Sequence, residues 1–134
     1  MFEKILFAID RSLETSHAIS LAVDLAQKYG SSVTLLCVAD IADLDSEAAR
    51  KQKQQGKALL EQAEAALHKA GLADVRAEYR EGKVAFAICD AADELDVNLV
   101  VIGSRGVGLT EDGREDSVSN RVINLSPCPV LVVP

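Results

Sequence analysis

The chain has no tryptophan, and three phenylalanines and two tyrosines bring its aromatic content to only 4% of 134 residues. Its core has to be built from aliphatic side chains. Positive charge is short as well: 14 lysines and arginines face 21 aspartates and glutamates, for a net charge of −7. With no basic stretch to offset that balance, nucleic-acid binding is disfavoured. The three cysteines, Cys37, Cys89 and Cys128, are odd in number, widely spaced and each set in an apolar stretch. That pattern argues against a disulfide framework or a metal site and for buried free thiols. His17 and His68 share no metal-ligand spacing with each other or with a cysteine, and both read as ordinary helix residues. No apolar run approaches the length of a membrane span, and no basic segment leads into a signal-like apolar run near the start. The expectation is a cytoplasmic protein with no membrane partner.

What the sequence does contain is a regular alternation. Lys4 to Ile9 is a short apolar run stopped by Asp10-Arg11-Ser12. From Ser12, apolar positions recur at helical spacing up to Tyr29-Gly30. Ser32 to Val38 reads as a buried strand, Asp40 to Asp45 as a loop, and Ser46 to Ala70 as a long amphipathic helix closed by Gly71. Asp74 to Arg80 alternates as a half-exposed edge strand does, and Lys83 to Leu95 is helical. Asn98 to Gly103 is a strand, Ser117 to Leu125 a helix, and Cys128 to Val133 a last strand. The order β-α-β-α-β-α-β-α-β, with continuous aliphatic strands, predicts one α/β domain: a doubly wound five-stranded parallel sheet with helices on both faces. Ligands of such sheets bind beyond the carboxyl ends of the strands, where the winding reverses.

Three features fall at those carboxyl ends: Asp10, the segment Val38-Ala39-Asp40, and the glycine turn Gly103-Ser104-Arg105-Gly106. The last is followed by a polar loop and by Asp116-Ser117-Val118-Ser119 at a helix start. Glycines that hand a strand over to a helix N-terminus turn backbone N–H groups toward an anion, and the helix end adds partial positive charge. Together the three could hold a nucleotide. Gly103, Gly106, Ser117 and Val118 would lie on the phosphates, Asp10 would accept a hydrogen bond from ribose or base, and Val38 would line an apolar slot. The competing reading is structural: glycines that only turn the chain, an Asp10 that caps the first helix with Ser12, and serines that only start a helix.

The segments Ile5-Leu6-Phe7-Ala8-Ile9-Asp10, Leu35-Leu36-Cys37-Val38 and Glu81-Gly82 belong to one pattern with two further runs. These are Asn98-Leu99-Val100-Val101-Ile102-Gly103-Ser104-Arg105-Gly106 and Ser126-Pro127-Cys128-Pro129-Val130-Leu131-Val132-Val133. Over the whole chain this resembles the universal stress protein family, in its ATP-binding branch. The resemblance implies strand order 3-2-1-4-5, the adenine nucleotide alpha hydrolase-like arrangement. It also implies adenosine held at Asp10 and Val38, and phosphates held at Gly103, Gly106 and Ser117. ATP or another adenine nucleotide, with or without Mg²⁺, is the expected ligand. The resemblance further implies a homodimer pairing through Val130, Leu131, Val132 and Val133, and a regulatory role in stress response with protein partners unknown.

One position departs from that pattern. ATP-binding members of the family have glycine where this chain has Asp116. The loop Glu111-Asp112-Gly113-Arg114-Glu115-Asp116 carries four carboxylates against one arginine. A carboxylate about 5 Å from one phosphate charge costs roughly 3 kcal/mol at an effective dielectric near 20. That is about a hundredfold in affinity. Mg²⁺ bridging Asp116 and the phosphates would reverse the sign. The structural reading, which is favoured over a metal role, is that Asp116 is the N-cap of the helix that begins there. The alternative to nucleotide regulation is therefore a nucleotide-independent dimeric interaction protein whose phosphate site is closed. An enzyme is the weakest reading, at most a slow ATP hydrolase. There is no Gly-x-x-x-x-Gly-Lys-Ser/Thr loop and no histidine at a strand's carboxyl end.

Overall fold

The computed structural model describes residues 1–10, 14–103 and 118–134, with the side chains of 14–16 left aside. The elements run β1 (Lys4–Ala8), α1 (Glu14–Tyr29), β2 (Ser32–Ala39), α2 (Ser46–Lys69), β3 (Val75–Glu81), α3 (Val84–Glu94), β4 (Leu99–Gly103), α4 (Val118–Leu125) and β5 (Val130–Val133). The strands form one five-stranded sheet in the order β3-β2-β1-β4-β5, and every described pairing is parallel. The chain winds outward from β1 to β3 and then returns to lay β4 on the other side of β1, with Ile5 opposite Leu99 and Phe7 opposite Val101. The winding therefore reverses between β1 and β4.

Alternation along the strands builds two cores. Ile5, Phe7, Val33, Leu35, Leu99 and Val101 face α1 and α2, meeting Ala18, Ala22, Ala26, Leu60, Ala63 and Leu67. Leu6, Ala8, Leu36, Val100 and Ile102 face α3 and α4, meeting Ala85, Ile88, Ala91, Ala92 and Val122. The central strands are buried on both faces, and for that reason they read as unbroken aliphatic runs. Cys37 and Cys89 are buried, as expected, and Cys128 is only half-buried, because it lies in the turn before an edge strand; none of the three is in a disulfide. On β3, the opposite edge, Arg80 pairs with Glu94 of α3 at 2.6 Å and with Glu78 of its own strand at 3.3 Å.

Three helices end in the same way. The N–H groups of Ser31, Leu72 and Val97 reach back to the carbonyls of Ala26, Leu67 and Ala92. Gly30, Gly71 and Asp96 hold the positive φ that the closure requires, at 62°, 103° and 53°. Asp96 is the one non-glycine with positive φ among the described residues. It places a carboxylate at the negative end of α3, where a helix favours cations. Asp96→Gly is expected to raise unfolding stability by about 0.5–1 kcal/mol, and Asp96→Val to lower it by about 1–2 kcal/mol, since a β-branched residue fits that conformation worst. Urea denaturation of the two variants checks the opposite signs.

Candidate functional site

The carboxyl end of β1 is held beside β2 by the Ile9 N–H, which donates to the Leu36 carbonyl at 2.9 Å. This puts half-buried Asp10 next to the last residues of β2. The β2–α2 connection then folds tightly. The Ala42 N–H donates to Asp40 Oδ1 at 3.2 Å, and Asp45 caps α2 by accepting from the Ala48 N–H at 2.7 Å. Capping at Asp45 fixes where α2 starts, so its first turns overhang the ends of β2 and β3.

Between this overhang and the strand ends lies a pocket of about 270 Å³ lined by Asp10, Val38, Ala39 and Cys37 from the sheet side, and by Gln52, Gln55, Gly56 and Leu59 from α2. Two of the residues expected at the adenosine end, Asp10 and Val38, are thus brought to one cavity. Val38 also packs against the α3-side core. Gly56 lets α2 lie close against the sheet beside the pocket: a Cβ there would meet the Tyr79 ring at 2.9 Å and Cys37 Sγ at 3.2 Å. Tyr79 donates to Glu81 Oε2 at 3.3 Å, and burial, with the Glu81 charge second, pushes its phenol up to about 12.

Gly103 ends β4 opposite Val133, half-buried, on the other side of β1 from the pocket. Val118 opens α4 and packs its side chain against the α3-side core. Gly106, Asp116 and Ser117, with Ser104, Arg105 and the acidic loop, lie outside the described residues. Among the described residues, no group of three histidine, cysteine or acidic side chains is placed to hold a metal ion. No described helix is long and apolar enough to cross a membrane.

A larger pocket, about 380 Å³, opens at the opposite, amino end of the strands and is lined by Lys4, Thr34, Asp74, Arg76 and Glu94 among others. Size alone would favour it, but its cations and carboxylates oppose one another, and it lies away from the end where open α/β sheets bind ligands. The smaller pocket holds two of the predicted residues, Asp10 and Val38. Its α2 wall went unrecognised in the sequence because Gln52 and Gln55 carry no local signature; the glycine within a strongly patterned helix was the available signal.

The sequence model of the universal stress protein family matches residues 1–134. This chain belongs to the universal stress protein family. A universal stress protein of Synechocystis sp. is 46% identical over 137 residues, covering 100% of this chain and 87% of the relative. Among solved structures, a universal stress protein from Lactobacillus plantarum superposes with a TM-score of 0.83 at 22% identity, over 99% of this chain and 98% of that one. A universal stress protein in complex with cAMP superposes with a TM-score of 0.80 at 26% identity, over 98% and 97%. The strand order expected from the family resemblance is the one observed.

Proposed function

We propose that this universal stress protein is a regulatory module that takes an adenine nucleotide, ATP or AMP, in the cleft at the carboxyl ends of β1 and β4. The observation that carries the reading is the pocket joining Asp10 and Val38 beside the point where the sheet reverses its winding. Asp10 supplies an acceptor for a ribose or base donor. Gly103, Gly106, Ser117 and the start of α4 at Val118 supply the phosphate end. The cAMP-bound relative supports the same ligand class. Calorimetric titration with ATP plus Mg²⁺, and separately with AMP, is expected to give micromolar binding of at least one. Absence of heat with both at millimolar concentration would sink the reading.

The acidic loop 111–116 favours a second reading, a nucleotide-independent interaction protein whose phosphate site is closed by Asp116. Both readings share a homodimer. Among the described residues β5 pairs only with β4 and its outer edge carries no further strand, with Val130, Leu131 and Val132 half-buried. Val133 is 3% exposed and offers its backbone alone. Ile123 and Leu125 of α4, the helix that leads into β5, are 51% and 49% exposed. An uncovered hydrophobic edge invites pairing with a second copy. Leu131→Lys is expected to shift a dimeric wild type to monomer in sedimentation; a monomeric wild type refutes the dimer.

A further inference from the structure

α2 buries Leu67, Ala63, Leu60 and Gly56, a stripe that steps back three or four residues at a time. One turn further toward the helix start, that stripe arrives at Gln52, and the neighbouring row from Leu59 arrives at Gln55. Positions 52, 55, 56 and 59 share one helix face, and all four line the pocket. A helix that only covered a sheet would continue its stripe with apolar side chains. Here carboxamides replace them at the turn that overhangs the cavity, Gln55 half-buried and Gln52 exposed.

We propose that Gln52 and Gln55 read the edge of the base and make this pocket the base-selective end of the site. The inference rests on the nucleotide reading above and adds the residues that would discriminate. A carboxamide carries a donor and an acceptor side by side without charge. It complements an edge that offers the same pair, as adenine does with its amino group and neighbouring ring nitrogen. It offers little to a phosphate, which is held by cations and backbone N–H groups. Among the described residues Asp10 is the one charged side chain lining the cavity, and its sign repels phosphate. The pocket therefore suits the neutral end of a nucleotide. Its volume of about 270 Å³ falls just below the roughly 300 Å³ at which small-molecule sites begin, room for a base and sugar rather than a whole triphosphate. Gly56, one turn after Gln52 in the same row, lets α2 lie close against Tyr79 and Cys37 beside the cavity.

The test is calorimetry with AMP and with ribose 5-phosphate on the wild type and on the Gln52→Leu, Gln55→Leu double variant. The wild type is expected to bind AMP more tightly than ribose 5-phosphate. The double variant is expected to lose about tenfold or more for AMP, the size of one or two hydrogen bonds, with ribose 5-phosphate unmoved. Gln55→Glu keeps the side-chain shape, loses the donor and sets a second carboxylate beside Asp10. It guards against a folding artefact and is expected to weaken AMP in the same direction. AMP affinity unchanged in these variants overturns the glutamine assignment while the nucleotide site stands. A wild type that binds neither AMP nor ATP overturns both.

Discussion

Asp116→Gly is expected, if Asp116 closes the phosphate site, to raise ATP affinity about a hundredfold while leaving adenosine binding unchanged; if Asp116 is only a helix cap, ATP affinity stays nearly the same. The size follows from Coulomb's law: one carboxylate about 5 Å from one phosphate charge, at an effective dielectric near 20, opposes binding by roughly 3 kcal/mol. Because the opposition is electrostatic, the gain should shrink as salt rises and the Debye length falls below the separation. Asp116→Asn separates charge from backbone geometry. It removes the charge but keeps a side chain of the same shape, so a charge effect appears in both variants and a requirement for glycine's backbone freedom appears only in the first. Mg²⁺ gives a further control. If the carboxylate recruits the ion, Asp116→Gly weakens ATP in its presence instead of strengthening it. Titrations of the three proteins with ATP and adenosine, with and without Mg²⁺, check these signs. An unchanged ATP affinity in all conditions would refute the closed-site argument.

Gly56→Leu is expected to lower the unfolding free energy by about 1–3 kcal/mol and to weaken nucleotide binding at the same time. Glycine inside a helix ordinarily costs about 1 kcal/mol relative to alanine, so on propensity alone the substitution would stabilise. Packing reverses the sign. Even one added carbon would lie 2.9 Å from the Tyr79 ring and 3.2 Å from Cys37 Sγ. A leucine must displace the ring or lift α2 from the sheet, and overpacking of this kind typically costs 1–3 kcal/mol. Gly56 and Cys37 also border the cavity, so moving α2 or its neighbours alters the ligand space. Denaturation of Gly56→Ala alone and combined with Tyr79→Val identifies the cause. If the ring contact is responsible, the double variant is less destabilised than the sum of the single ones. Strict additivity would locate the cost elsewhere.

These two positions mark the limits of what the sequence discloses. The strands and helices were legible because parallel strands buried on both faces, such as Leu99–Ile102, appear as unbroken aliphatic runs. Helix ends were legible where Gly30 and Gly71 marked them. The end of α3 was read at Leu95, one residue past Glu94, although Asp96 makes the same closure without glycine. Strand order came from the family resemblance and not from periodicity, which fixes faces but not neighbours. Boundaries shifted by a residue or two: β1 stops at Ala8, although Ile9 is still hydrogen-bonded to Leu36, and β3 runs on to Glu81. Asp10 and Val38 could be named because they end strands. The α2 wall could not, since a pocket joins residues from separate elements and Gln52 and Gln55 look like any polar helix positions until the sheet lies beneath them.

The repeated helix closures make the two ends of this sheet unequal as places to splice foreign sequence. At Gly30, Gly71 and Asp96 the chain turns back into a strand within a few residues, and each turn is tied to its own helix by a backbone hydrogen bond. A peptide inserted there would separate a helix from the strand it feeds. At 41–44 the described ties are local, the Ala42 N–H to Asp40 and the Leu44 N–H to the Ile41 carbonyl, and Asp45 starts α2 from within its own first turn. A reporter module grafted into that loop would leave the sheet scaffold intact and stand at the mouth of the proposed binding cleft.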